Sequence, residues 1–197
     1  ASKISKTKNS ENIITLLIPR SAELIIAHLA VAKIGACILP IDPDQPIQRI
    51  NKILKKAHCE LILTTKATKC LSEVADSIDI SIDLLTNNDI IEYQTIDQQI
   101  GYTIFTSGST GEPKGVMIGK KSFNIFVEQW IKYYHLAKND RLLLIASPGF
   151  DASIIEIWPS ILSGAMISIP DENTRLSTTL LKDWIYEEEI SVVFAPT

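Results

Sequence analysis

Short runs that are apolar at nearly every position limit the fold of this chain more than any other feature. Ile13 to Ile18 is the first, and Ala36 to Ile41 and Glu60 to Thr64 follow. A short continuous apolar run, without polar alternation, suits a strand buried on both faces, as in a parallel sheet. Segments of helical length separate the runs. Pro19 ends the first, and Ser21 is placed to cap a helix with Glu23 in its positive first turn. That helix is expected to reach about Lys33, where Gly35 stops it. Asp42 to Pro46 reads as a turn, and Pro46 suits a helix start. Ile47, Ile50, Leu54 and Ala57 then share one helical face, with Arg49, Lys52, Lys55 and Lys56 mostly outward. Alternation of strand and helix predicts an α/β fold of layered, mostly parallel sheets flanked by helices.

The pattern weakens over residues 66–99. A helix is expected near Cys70 to Asp76, then a polar surface connection from Thr86 to Gln99. Further on, Phe123, Phe126, Val127, Trp130, Ile131 and Tyr134 mark a long amphipathic helix. Arg141 to Ser147 reads as a strand, and Ile154 to Leu162 as a helix interrupted by Pro159. Met166 to Ile169 is a strand, Ser177 to Glu188 a helix, and Val192 to Ala195 a closing strand. The expected organisation is a frayed polar end over 1–11, a first α/β part over 12–99 and a second over 100–197.

The chain has 197 residues, 46% hydrophobic and 21% charged, which suits a folded protein of one large or two small domains. A net charge of −4 implies no general attraction to nucleic acid or an anionic membrane. No apolar run approaches the ~18 residues of a spanning helix, and no signal peptide is visible. Cys37, Cys59 and Cys70 are odd in number and lack C-x-x-C spacing, so neither a zinc site nor a disulfide framework is indicated. Cys37 and Cys59 lie in apolar runs, as small buried hydrophobes do. These features fit a reducing cytoplasm. His28, His58 and His135 are read as structural or surface residues, and Glu187 to Glu189 as a solvated helix end.

The chemistry concentrates between Tyr102 and Gly115, where a β-prone run ends in a loop of glycines and hydroxyls closed by a lysine. Gly108 and Gly111 allow close backbone approach to an anion. Thr106, Ser107, Ser109 and Thr110 add hydroxyl donors, and Lys114 adds a compact positive charge. Together they suit a polyphosphate. The spacing is not that of a Walker P-loop, since Gly111 follows Gly108 by three residues and Gly115 follows Lys114. The competing reading is a flexible Ser/Gly connection with a solvated lysine.

The stretch Thr106 to Gly115 resembles the phosphate-loop signature of the adenylate-forming superfamily, which includes acyl-CoA synthetases, luciferases and adenylation domains of nonribosomal peptide synthetases. Leu29 to Pro43 and Phe150 to Glu156 resemble two further segments of the peptide-synthetase members, in the family's order. The likeness runs from about Asn12 to Thr197. It implies the N-terminal core of an adenylation domain, without the later segments that meet adenine, ribose and metal and without the C-terminal lid.

The resemblance implies that an amino acid and ATP give an aminoacyl adenylate and pyrophosphate, with Mg²⁺ on the polyphosphate. The acyl group would then pass to the phosphopantetheine thiol of a peptidyl carrier domain. Lys114 and Thr106 are the candidate charge and phosphate stabilisers, with Ser107, Gly108, Ser109, Thr110 and Gly111 in the loop. Asp151 would pair with the substrate's ammonium, beside Phe150, Ala152 and Ile155 of the pocket. Many members carry an aromatic residue where Ile155 stands, so an aliphatic-lined pocket is implied. From the residues alone, Asp151 reads equally as a helix N-cap, Phe150 and Trp158 suit core aromatics, and Glu156 has no assigned role. A D-alanine-carrier-protein ligase, an acyl- or aryl-CoA ligase and a non-catalytic binding module derived from the fold are the alternatives. No metal ligand is assigned.

Overall fold

The structure, a computed structural model, describes residues 13–68, 76–80, 99–107 and 111–194. The chain divides into two compact units, Ala1–Lys121 and Ser122–Thr197.

The first unit holds strands β1 (Ile13–Leu17), β2 (Cys37–Ile41), β3 (Leu61–Thr64), β4 (Asp76–Asp79), β5 (Ile100–Ser107) and β6 (Pro113–Gly119). They form one sheet in the order β4-β3-β1-β2-β5-β6. β1 to β5 run parallel, with Leu17 opposite Ile41 and Thr64, and Ile38 opposite Tyr102. β6 returns antiparallel to β5. From β1 the chain steps to β2 on one side, and from β2 to β3 on the other. Right-handed crossovers of opposite direction put their helices, α1 (Ala22–Ile34) and α2 (Ile47–Lys56), on opposite faces.

Under α2, Ile50, Ile53 and Leu54 pack with Leu17, Leu39, Ile41 and Ile62, and Phe105 joins the cluster. Each fully buried Leu or Ile stabilises the fold by about 1.5–3 kcal/mol. The cysteines behave as their apolar runs imply. The Cys59 thiol meets the Thr15 hydroxyl at 3.0 Å and the Cys37 thiol meets that of Thr103 at 3.4 Å. Burial pushes both thiols up from their ordinary range. The expected caps on α1 are present: the Leu24 N–H donates to Ser21 Oγ, and Gly35 ends the helix at φ 81°. His58 and His135 occupy left-handed positions after helices, at φ 48° and 53°.

This unit departs from the sequence reading at Asp76 and in strand β6. The proposed helix from Cys70 lies outside the described residues up to 75, and Asp76 opens strand β4 instead. A sheet edge needs little apolar surface, so this strand gave a weak signal. The connection from Thr86 also lies outside the described residues up to 98, and Gln99 leads directly into β5. Strand β6 was not expected, because Pro113, Lys114, Gly115 and Gly119 are poor strand formers. Its pairing with β5 supplies what propensity does not. β5 pairs with β2, so residues 100–107 belong to the six-stranded sheet.

In the second unit, most of helix α3 (Lys120–Tyr133) precedes β7 (Arg141–Leu143), α4 (Asp151–Ser163), β8 (Met166–Ser168), α5 (Glu172–Leu176) and α6 (Thr178–Glu187). β8 runs parallel to β7, and Val192 bridges Leu142 in parallel. β7 is therefore central, with the chain again crossing first to one side and then to the other. Trp158 is a core aromatic, edge-on to Phe123 at 5.5 Å. Trp130 meets Phe126 and Tyr134 with tilted rings and Phe194 edge-on. β7 is shorter than the expected strand to Ser147, and α4 begins at Asp151 rather than Ile154. Of the expected closing strand, residues 192–194 show the bridge at Val192, and Ala195 lies outside the described residues. No described helix is long and apolar enough to cross a membrane.

His28 lies buried in α1, and burial lowers its pKa from 6.5 to about 3. The unfolded chain protonates this ring below pH 6.5, whereas the folded chain resists protonation until about pH 3. Stability from this group is complete above the first value and is lost as the pH falls through that window. Between pH 7 and pH 5 the loss should be about 2 kcal/mol. Urea midpoints at the two pH values measure it, and a His28→Leu variant should show a flatter dependence.

Candidate functional site

Parallel strands place their carboxyl ends along one edge, and such sheets bind ligands beyond that edge. β5 is an internal strand, between β2 and β6, and its carboxyl end is Ser107. Residues 108–110, which include Gly108, Ser109 and Thr110 of the expected loop, lie outside the described residues. Gly111 follows at φ 80°, in left-handed space that favours glycine.

The hairpin register then sorts the side chains. Thr106 lies opposite Lys114, and Phe105 opposite Gly115. Residues directly opposite share a face, and successive residues alternate. Phe105 enters the α2 core, so Thr106 and Lys114 point the other way. Gly115 suits the same contact, because a Cβ there would lie 3.0 Å from the Phe105 ring, which would have to give way. Thr106 Oγ1 reaches the Lys114 carbonyl at 3.5 Å. Thr106, Ser107 and Lys114 are all exposed. This end of the hairpin therefore offers two hydroxyls and an ammonium to an anion, with a glycine at the turn.

A contact not foreseen in the sequence fixes the returning arm of the loop. Lys52 Nζ of α2 donates to Glu112 Oε1 at 2.9 Å, and this cation holds the Glu112 carboxyl below its usual range. Both side chains are over half exposed, so the pair adds little stability and acts mainly on placement. Sixty positions separate the partners, and no local pattern links them.

The second constellation lies at the carboxyl end of β7. Phe150 takes the N-cap position of α4 with an extended backbone, and no side chain caps the helix. Asp151 is the first helical residue and is exposed. Its carboxylate is not the N-cap, and it makes no hydrogen bond or ion pair among the described residues. Phe150 is 62% exposed, so it is not a core aromatic. Ala152 and Ile155 are half-buried, and Ile155 lies one turn beyond Asp151. Phe150, Asp151, Ala152 and Ile155 thus sit within one turn and a half of α4.

The opposite face of α4 carries polar groups that the sequence left unassigned. Ser153 and Glu156 are buried, three residues apart. Ser153 Oγ lies 2.7 Å from the Phe150 carbonyl and 3.2 Å from that of Pro148. Glu156 Oε2 accepts from the N–H groups of Ile145 and Ala146, just beyond the end of β7. No described group of three or more His, Cys, Asp or Glu residues could hold a metal ion.

Residues 6–197 match the model of the AMP-binding enzyme family. The chain is 36% identical over 203 residues to a linear gramicidin synthase polypeptide of Brevibacillus parabrevis, covering 95% of this chain and 4% of that protein. Its fold matches the N-terminal subdomain of Klebsiella oxytoca NpsA in complex with 3-hydroxyanthranilyl-AMSN. The TM-score is 0.79 at 26% identity, over 95% of this chain and 48% of that one. NpsA-ThdA, an artificially fused adenylation-PCP di-domain from the same organism, matches with TM-score 0.79 at 26% identity, over 95% and 38% of the two chains. The chain therefore spans a small part of the curated relative and about half of the solved subdomain, and it belongs to the AMP-binding enzyme family.

Proposed function

We propose that this chain is the phosphate-binding and acid-binding part of an ATP-dependent ligase that activates an amino acid for nonribosomal peptide synthesis. A carboxylate oxygen of the amino acid attacks the α-phosphorus of ATP. The bond from the α-phosphorus to the bridging oxygen breaks, and pyrophosphate leaves with the electron pair. The aminoacyl adenylate then yields its acyl group to the phosphopantetheine thiol of a carrier domain, and AMP departs. Little covalent work falls to the protein, so positioning and charge stabilisation set the rate.

The observation that carries this reading is Asp151. Its carboxylate is exposed at the carboxyl end of a central parallel strand and is not spent on capping α4. A substrate ammonium leaving water needs such a partner, or it suffers a heavy desolvation penalty. Ala152 and Ile155 would line the side-chain pocket with aliphatic surface. In the first unit, Lys114 would meet the developing charge on pyrophosphate, and Thr106, Ser107 and Gly111 would contact the phosphates with Gly108, Ser109 and Thr110.

The exposed donors of the hairpin are hydroxyls and an ammonium, which fit a polyphosphate. Mg²⁺ would be held there through phosphate oxygens and water rather than by a protein cage, and it would neutralise charge when bound. Two buried free thiols and the need for ATP support a cytoplasmic setting. The aryl group in the NpsA complex favours one second reading, an aryl-acid ligase.

Amino-acid-dependent ATP–pyrophosphate exchange by the full-length gene product tests the proposal. Lys114→Ala should lower exchange by about 10²-fold. Asp151→Ala should abolish exchange with amino acids while sparing simple carboxylates. Exchange only with aryl or fatty acids, indifferent to Asp151→Ala, would replace the proposal with the aryl- or acyl-ligase reading.

A further inference from the structure

Glu156 is the only buried carboxylate among the described residues, at 2% exposure. A carboxylate taken out of water costs several kcal/mol unless hydrogen bonds compensate it. Here Oε2 accepts from Ile145 N–H at 3.2 Å and from Ala146 N–H at 3.0 Å. Those amides open the connection that runs from β7 to Asp151. At its other end, Ser153 Oγ holds the carbonyls of Pro148 and Phe150, and the Phe150 N–H closes a turn on Ser147. Ser153 and Glu156 stand one turn apart on the buried face of α4, and Ser160 Oγ donates to the Glu156 carbonyl at 2.6 Å. The helix that presents Asp151 to solvent thus grips, with its other face, the chain leading into Asp151.

We propose that Glu156 is a positioning residue for amino-acid recognition. By holding the Ile145 and Ala146 amides it sets where the connection delivers the Asp151 carboxylate. It touches neither substrate nor ATP. The proposal rests on Asp151 being the ammonium partner. A carboxylate or a carboxamide at position 156 can accept both N–H bonds, whereas an apolar side chain of similar length leaves two part-buried donors without that acceptor. The connection would then settle elsewhere, and displacement of a recognition group by about 1 Å can cost up to ~10²-fold.

Exchange kinetics of the full-length gene product, with the amino acid and ATP varied separately, provide the test. Glu156→Met should raise KM for the amino acid by roughly 10-fold to 10²-fold while KM for ATP stays unchanged. Glu156→Gln should restore the amino-acid KM, since its side-chain oxygen can still accept. If Glu156→Met does not fold, Glu156→Asp replaces it. Its carboxylate is one methylene short of the amides and should show the same selective rise. Parallel loss of both KM values, failure of Glu156→Gln to rescue, or an unchanged amino-acid KM would overturn the assignment. Asp151→Ala separates the two levels. If it removes amino-acid-dependent exchange while the Glu156 variants leave the amino-acid KM unchanged, only the positioning role fails; if it has no effect, the reading of Asp151 fails first.

Discussion

Pairing of β5 with β2 is the interaction on which the candidate phosphate site depends. It brings a strand from a distant part of the sequence into a parallel sheet whose strands β1, β2 and β3 are apolar almost throughout. Once β5 is internal, Phe105 is drawn into the core beneath α2, and the alternation of the strand turns Thr106 to the other face of the sheet. The antiparallel return then sets Lys114 opposite Thr106, and Gly115 is the residue that leaves room for the Phe105 ring. A hydroxyl and an ammonium thus come to share one face because an aromatic residue claims the other.

The second unit solves a similar problem with polar groups. Its sheet is small, and β7 is only three residues long. The chain beyond β7 has no strand to pair with at Ile145 and Ala146, so the Glu156 carboxylate takes their N–H groups. Burying a charge for this purpose is expensive. The fold tolerates it at a connection that ends in the exposed Asp151 carboxylate. Both units bring their chemistry-bearing residues to the carboxyl end of an internal parallel strand, the location that α/β sheets commonly offer to ligands.

The first three strands were legible in the sequence because burial on both faces leaves an unbroken apolar record. Ser21 and Gly35 were legible because caps are local. β4 and β6 were not. Their residues form strands only because β3 and β5 lie alongside, and pairing of that kind leaves no trace in Asp76 to Asp79 or Pro113 to Gly119. The candidate residues around the loop stood out as clustered glycines and hydroxyls, whereas Phe150 to Ile155 stood out only through resemblance to a family segment. The choice between Asp151 as a cap and Asp151 as a free carboxylate was not, because it turns on the backbone of Phe150 at φ −106° and ψ 151°. Lys52 at Glu112 and Glu156 at two amides are long-range contacts, invisible to any local pattern.

The account stands or falls on attack by a carboxylate oxygen at the α-phosphorus of ATP. The most direct measurement supplies the full-length gene product with ATP and an amino acid labelled with oxygen-18 in its carboxylate. The acyl group is trapped on a thiol or on hydroxylamine, and the nucleotide is weighed by mass spectrometry. The account predicts AMP carrying labelled oxygen and unlabelled pyrophosphate. Label in phosphate or pyrophosphate, or AMP without label, would contradict it.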